Sequence, residues 1–127
     1  VIVVDASAAI AGLLNDGPAR RRLAGEQLHI LHLIDSEVAS GLRRLVSART
    51  ITAKQGWATL DTWRRLGATR YPAHGLLERI WALRDNLTAY DAGYVALAEQ
   101  LGCAVVTADA RLAAAPGIRC PVTLVPR

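Results

Sequence analysis

The chain opens with Val1-Ile2-Val3-Val4, four apolar residues in succession, closed by an aspartate, Asp5. A strand with one wet face alternates polar and apolar side chains, whereas a run without a polar position has both faces covered. Sheets covered on both faces belong to parallel α/β folds, so this short run restricts the architecture more than any other segment. The pattern returns near the other end, where the run Ala104 to Thr107 is soon followed by a second aspartate, Asp109.

Between these runs the chain alternates strand and helix patterns. Ala8 to Leu14 reads as a helix ended by the turn NDGP at 15–18, and ARRRLAGEQ continues as a basic helical patch. Leu28 to Leu33 reads as a second strand. Asp35 reads as an N-cap, because Val38, Leu42, Leu45 and Val46 recur behind it at helical spacing. Thr52 and Gln55 have the spacing of a capping box and start a helix running to about Leu66. Gly67 to Tyr71 is a third strand, Leu76 to Arg84 a helix, and Asp91 to Leu101 a helix stopped by Gly102. Val122 to Val125 is a closing strand. There is no repeat, low-complexity tract or linker, which predicts a single domain over 1–127. The alternation predicts a three-layer α/β/α sandwich with a mostly parallel central sheet.

Composition limits the function classes. Apolar residues make up 52% of the 127, which excludes wholesale disorder, and with no Phe or Met the core must be aliphatic. The net charge is +4, carried almost entirely by Arg, with Lys54 the one lysine. That balance tolerates a polyanionic partner without pointing to one. Cys103 and Cys120 sit in or beside apolar runs and read as buried thiols; two cysteines are too few for a structural zinc site. His29 and His32 alternate with apolar residues, as satisfied strand histidines do. Trp57, Trp63 and Trp81 read as core residues, with Trp57 or Trp63 lining a partner surface as the alternative. The opening VIVVD is no signal peptide and no run is long enough to span a membrane, so a cytoplasmic location is expected.

In parallel α/β sheets ligands bind beyond the carboxyl ends of the strands. Asp5 follows the first strand and Asp109 follows the run at 104–107. Glu37 and Asp91 lie in the first turns of their helices. All four are expected on one edge. Alone, each has an ordinary explanation: Asp5 and Asp109 as N-caps, Thr88 and Asp91 as a loose capping box, Glu37 as an acid at a positive helix end. Together these explanations weaken. Glu37 and Asp91 have no basic partner one turn along their own helices, and clustered carboxylates repel one another unless a cation offsets the charge. An all-oxygen donor set selects Mg²⁺ or Mn²⁺ over zinc, and such ions serve metal-assisted attack on phosphodiesters.

The segments VVDASA at 3–8, LIDSEVASGLRR at 33–44, LRDNLTAYDAGYVALAEQLG at 83–102 and VVTADARL at 105–112 resemble a PIN domain. More closely, they resemble the VapC toxins of bacterial VapBC toxin–antitoxin pairs. The resemblance covers nearly the whole chain, in order and at the right separations. It implies that Asp5, Glu37, Asp91 and Asp109 are the family's acidic quartet, intact here, binding Mg²⁺ in a ribonuclease that cuts cellular RNA and arrests translation. It also implies a homodimer and a VapB-type antitoxin whose C-terminal segment blocks the site. Ser7 and Thr107 are expected to hold a carboxylate or a metal-bound water. Arg84 and Asn86 are candidates for a backbone phosphate, and Arg20, Arg21 and Arg22 for a solvated helix face or a phosphate grip. Two other enzyme families fit poorly: a haloacid-dehalogenase phosphatase requires an aspartate where Ser7 stands, and a response-regulator receiver requires a lysine after the last strand. The alternative outside enzymology is a non-catalytic module that binds RNA or an antitoxin.

Overall fold

Ile2, Val3 and Val4 are buried on both sides, as a run with no polar position requires. In the computed structural model, which describes residues 1–127, they form β1 (Ile2–Val4) at the centre of a five-stranded sheet. The chain continues through α1 (Ala6–Leu14), α2 (Pro18–Leu23), β2 (Leu28–Leu31), α3 (Ile34–Ser47), α4 (Ala53–Arg65) and β3 (Ala68–Tyr71). After a 3₁₀ turn at His74–Leu76 come α5 (Leu77–Ala82), α6 (Ala89–Leu101), β4 (Ala104–Thr107), α7 (Ala110–Ala114) and β5 (Val122–Leu124). The strand order is β3-β2-β1-β4-β5 and every pairing is parallel, so the sheet is wholly rather than mostly parallel.

Strand order and handedness together place the helices. From β1 the chain steps outward to β2 and β3, then crosses back to β4 and β5 on the other side of β1. Right-handed crossovers put the helices of the two journeys on opposite faces. The sheet confirms it from its side chains: Arg70 of β3 reaches Asp35 of α3, while Leu31 of β2 meets α6 at Gly93. A Cβ at Gly93 would stand 2.8 Å from Leu31 Cδ1, so glycine lets α6 lie close against β2. Every residue of α6 from Ala92 to Ala98 is buried, the mark of a helix packed all round. The reversal of direction falls between β1 and β4, where their carboxyl ends leave a crevice.

Several local expectations change. Asp35 is not an N-cap: α3 starts at Ile34, Leu33 occupies the cap position, and the Asp35 side chain turns to Arg70 and Trp63 instead. Tertiary partners outcompeted the local cap. Thr88, not Asp91, opens α6, and its hydroxyl accepts the Asp91 N–H at 3.2 Å. The Thr52–Gln55 capping box is complete in both directions. The segment 76–84 is α-helical only over Leu77–Ala82. α7, five residues long, is too short to show helical periodicity in the sequence.

The core reading of the tryptophans holds only for Trp63, which is buried. Trp57 and Trp81 are 57% and 68% exposed, with the guanidinium groups of Arg64 and Arg84 over their rings at 5.3 and 4.8 Å. Those cations shield the indoles from water at their faces and let them remain outside. Cys103 and Cys120 are free and only partly buried. His29 pairs through Nδ1 with the Tyr71 hydroxyl at 2.7 Å, but its buried Nε2 has no partner, so it is half satisfied. No helix is long and apolar enough to cross a membrane.

Candidate active site

Asp5 leaves β1 at the crevice and, with only 4% of its surface exposed, is the most deeply placed of the acids. It is the N-cap of α1: Oδ1 accepts the Ala8 N–H at 2.9 Å and the Ser7 hydroxyl at 2.7 Å. Oδ2 accepts the hydroxyl of Thr107, the last residue of β4, which is wholly buried. The two hydroxyls are oriented in turn by backbone donors, Ala108 N to Ser7 Oγ at 2.8 Å and Asp109 N to Thr107 Oγ1 at 3.0 Å. Ser7 Oγ and Thr107 Oγ1 lie 3.2 Å apart, but each has spent its one proton on Asp5, so their contact is not a further hydrogen bond. Ser7 and Thr107 therefore hold a carboxylate, one of the two roles expected of them.

The other three acids converge from three elements. Asp109 caps α7 by accepting the Arg111 N–H at 2.9 Å. Asp91 stands in the first turn of α6 and Glu37 in the first turn of α3. All four line one cleft of about 920 Å³, which runs from the crevice between α1, α3 and α4. Its walls carry Ile10, Leu14, Leu45 and Ile51 together with Ser40, Arg44 and Thr59. Arg84 and Asn86 are not among the lining residues: Arg84 bonds the Trp81 carbonyl at 3.0 Å, and Asn86 faces Gly117. Of the cluster Arg20 to Arg22, Arg20 is spent on the end of α1 and Arg22 on Glu26, while Arg21 is exposed as a solvated face requires.

The electrostatics of the cleft are one-sided. Asp5, Glu37 and Asp91 make no ion pair: Arg44 and Arg127 line the same cleft without pairing with any of the four acids, and Arg111, 93% exposed, pairs with Asp109 alone, at 3.6 Å. Burial pushes the Asp5 carboxyl above its ordinary range, only partly offset by Thr107, Ala8 and Ser7, and Asp109 adds repulsion. Burial likewise raises Glu37, with Asp91 and Asp5 adding to it against the Tyr94 hydrogen bond. Asp91 is raised by burial and by its neighbours Asp5 and Asp109. The site thus holds negative charge that the protein itself leaves uncompensated, which is the condition a bound cation relieves.

Which cation fits follows from the donors. No three His, Cys, Asp or Glu side chains approach closely enough to cage an ion unaided. Zinc and calcium favour such all-protein cages. Mg²⁺ keeps several waters and takes only one or two carboxylates directly, so a looser ring of oxygens suits it. Asp5, Glu37, Asp91 and Asp109 offer oxygen donors of that kind.

Tyr94 was not singled out from sequence. It is 1% exposed, and its hydroxyl donates to Glu37. The signal was present, since Tyr94 lies three residues after Asp91 and so shares its helix face.

Comparisons with known proteins give the family and the fold. A family model described as the PIN domain matches residues 2–118. Ribonuclease VapC9 of Mycobacterium tuberculosis is 61% identical over 127 residues, covering 100% of both chains, and VapC ribonuclease Mb0985 of Mycobacterium bovis matches equally. Ribonuclease VapC1 of Mycobacterium tuberculosis is 44% identical over 97% of this chain and 96% of its own. Among solved structures, PAE2754 from Pyrobaculum aerophilum superposes with a TM-score of 0.68 at 27% identity, covering 96% of this chain and 82% of that one. Mycobacterium tuberculosis VapC20, a toxin that cleaves the sarcin–ricin loop, superposes with a TM-score of 0.65 over 94% of this chain and 97% of its own. At 19% identity it speaks for the fold alone.

Proposed function

The chain belongs to the PIN-domain family as a VapC-type member, and from that premise we propose that it is the ribonuclease toxin of a VapBC-type pair, a Mg²⁺-dependent endoribonuclease that hydrolyses phosphodiester bonds in cellular RNA. The observation that carries the reading is the convergence of Asp5, Glu37, Asp91 and Asp109 on one cleft at the strand-order reversal, with three of them unpaired by any cation. Mg²⁺, or Mn²⁺ in its place, supplies a Lewis acid that lowers the pKa of a water and offsets phosphate charge.

The chain's own residues do the rest. Asp5 is immobilised at both oxygens by Ser7, Thr107 and Ala8. It forms a fixed point against which Asp91 and Asp109 complete the negative ring from α6 and α7. Glu37 closes the ring from α3, on the cleft side. The N-termini of α1 and α6 direct backbone N–H groups and positive dipole ends to the same edge, which favours a phosphodiester there. Hydrolysis then adds water across a P–O bond: the water oxygen joins phosphorus, and the departing ribose oxygen takes up a proton.

Partners follow from the same surface. The apolar walls at Ile10, Leu14, Leu45 and Ile51 lead directly to the carboxylates, and suit a segment of a VapB-type antitoxin that would obstruct them. Leu77 and Trp81, one turn apart on α5 and both more than half exposed, favour self-association as a homodimer. Action on cellular RNA places the toxin in the cytoplasm.

The test is cleavage of total cellular RNA by purified, antitoxin-free protein with Mg²⁺ or Mn²⁺ against EDTA, the new ends being sequenced. Cuts at a few sites that require metal and vanish in Asp5→Asn are expected. A folded sample that cuts nothing with either metal overturns the proposal and leaves a binding module.

A further inference from the structure

Tyr94 has a place in the structure that the reaction described above does not use. A phenol only 1% exposed must find a partner for its hydroxyl, and this one finds Glu37, across 57 residues of sequence and on a different helix. Asp5 is fixed by three donors, whereas Tyr94 is the sole hydrogen-bond partner of the Glu37 carboxylate. Without it, a glutamate with three rotatable bonds at a half-buried position would be free to swing. Tyr94 shares the face of α6 that carries Asp91, so one hydrogen bond ties the α3 carboxylate to the helix bearing another acid of the cleft.

The donor's chemistry matters as much as its position. An arginine in that place would neutralise Glu37, as Arg70 does Asp35. A neutral phenol fixes the carboxylate and leaves its charge available.

We propose that Tyr94 is the positioning residue for Glu37: its hydroxyl holds one carboxylate oxygen and leaves the other in the cleft for a hydrated divalent cation. The inference rests on the metal-dependent nuclease reading. The test compares wild type, Tyr94→Phe, Glu37→Gln and the double variant, all full chain and checked for folding by circular dichroism. Mn²⁺ affinity is measured by calorimetry, and RNA cleavage across an Mn²⁺ series. Losing an outer partner of a metal-binding carboxylate typically weakens binding about tenfold or more. Tyr94→Phe is expected to raise the Mn²⁺ dissociation constant and the half-saturating Mn²⁺ for cleavage by that same factor, with the rate restored at saturating Mn²⁺. In the Glu37→Gln background it should add nothing. A wild type that binds Mn²⁺ and cleaves while Tyr94→Phe binds identically overturns the inference, as does an equal loss in the Glu37→Gln background, which would mark a packing effect. A wild type that neither binds nor cleaves overturns the nuclease reading itself.

Discussion

Asp35 and Glu37 stand two residues apart in the first turn of α3, in the same helix-dipole field, and meet opposite surroundings. Asp35 receives Arg70 through two bonds of 2.8 and 2.9 Å and the Trp63 indole at 2.8 Å. The Arg70 hydrogen bond, more than anything else, draws its carboxyl below the ordinary range. Glu37 has a phenol and two like charges for company, and burial draws its carboxyl upward. Residues two apart point to nearly opposite sides of a helix, so one faces the sheet edge at β3 and the other the cleft. A shared dipole therefore does not decide what an acid does. Asp35 has a charge already spent on structure, and Glu37 has one left for a ligand.

The largest separation should come in catalysis. Glu37→Gln is expected to lower RNA cleavage by about 10²- to 10⁴-fold while the fold persists. Asp35→Asn should leave metal-dependent cleavage in place, measured on the same RNA under the same metal. Equal losses in both would erase the distinction.

Metal binding should separate them next. Mg²⁺ at about a hundred times its dissociation constant adds about 2.7 kcal/mol to the folded state. That gain should appear as a higher melting temperature in wild type and in Asp35→Asn, and shrink in Asp91→Asn. An undiminished gain in Asp91→Asn would remove that residue from the site.

The response to pH gives a subtler contrast, with opposite signs. Asp5, Glu37 and Asp91 have raised folded values, so the folded state holds their protons longer than the unfolded chain. Their effect on metal-free stability is unfavourable once pH passes the unfolded carboxylate range near 4 and grows up to the raised folded values. Asp35 has a lowered folded value, so its contribution is present above that range and is lost as pH falls through the folded value. In metal-free melts at neutral pH, Asp91→Asn should therefore lie above wild type and Asp35→Asn below it. Both gaps should close in acid. Gaps of the same sign would contradict the assignment.

The smallest effect is the size of the Asp35 gap itself. Its side chain is 45% exposed, and solvent screening leaves the pair with Arg70 about 1 kcal/mol, a few degrees of melting temperature.

Much of the molecule was legible because its signals are local. An unbroken apolar run can only be a strand covered twice, and Val1 to Val4 and Ala104 to Thr107 announce β1 and β4 in that way. Thr52 with Gln55, and Gly102 at φ 68°, mark a helix start and a helix stop through bonds that close within a few residues. The four acids were findable because each directly follows a strand or opens a helix. Asp35 misled for the same reason: it has every local qualification of a cap, and its actual partners lie 28 and 35 residues away. Trp57 and Trp63 are alike in sequence and lie on one helix, but six residues of helical rotation put one under an arginine outside and the other in the core.

The sequence by itself determined the order of the strands and of every helix but α7, a mostly parallel sheet, and the edge on which Asp5, Glu37, Asp91 and Asp109 gather, because hydrophobic period and capping act over one or two turns of chain. Only the tertiary structure decided that Ser7 and Thr107 both close on Asp5, that Asp35 pairs with Arg70, and that Tyr94 holds Glu37. Those bonds join residues up to 102 positions apart, and whether two such groups meet depends on strand order, crossover hand and the depth at which a glycine lets a helix pack.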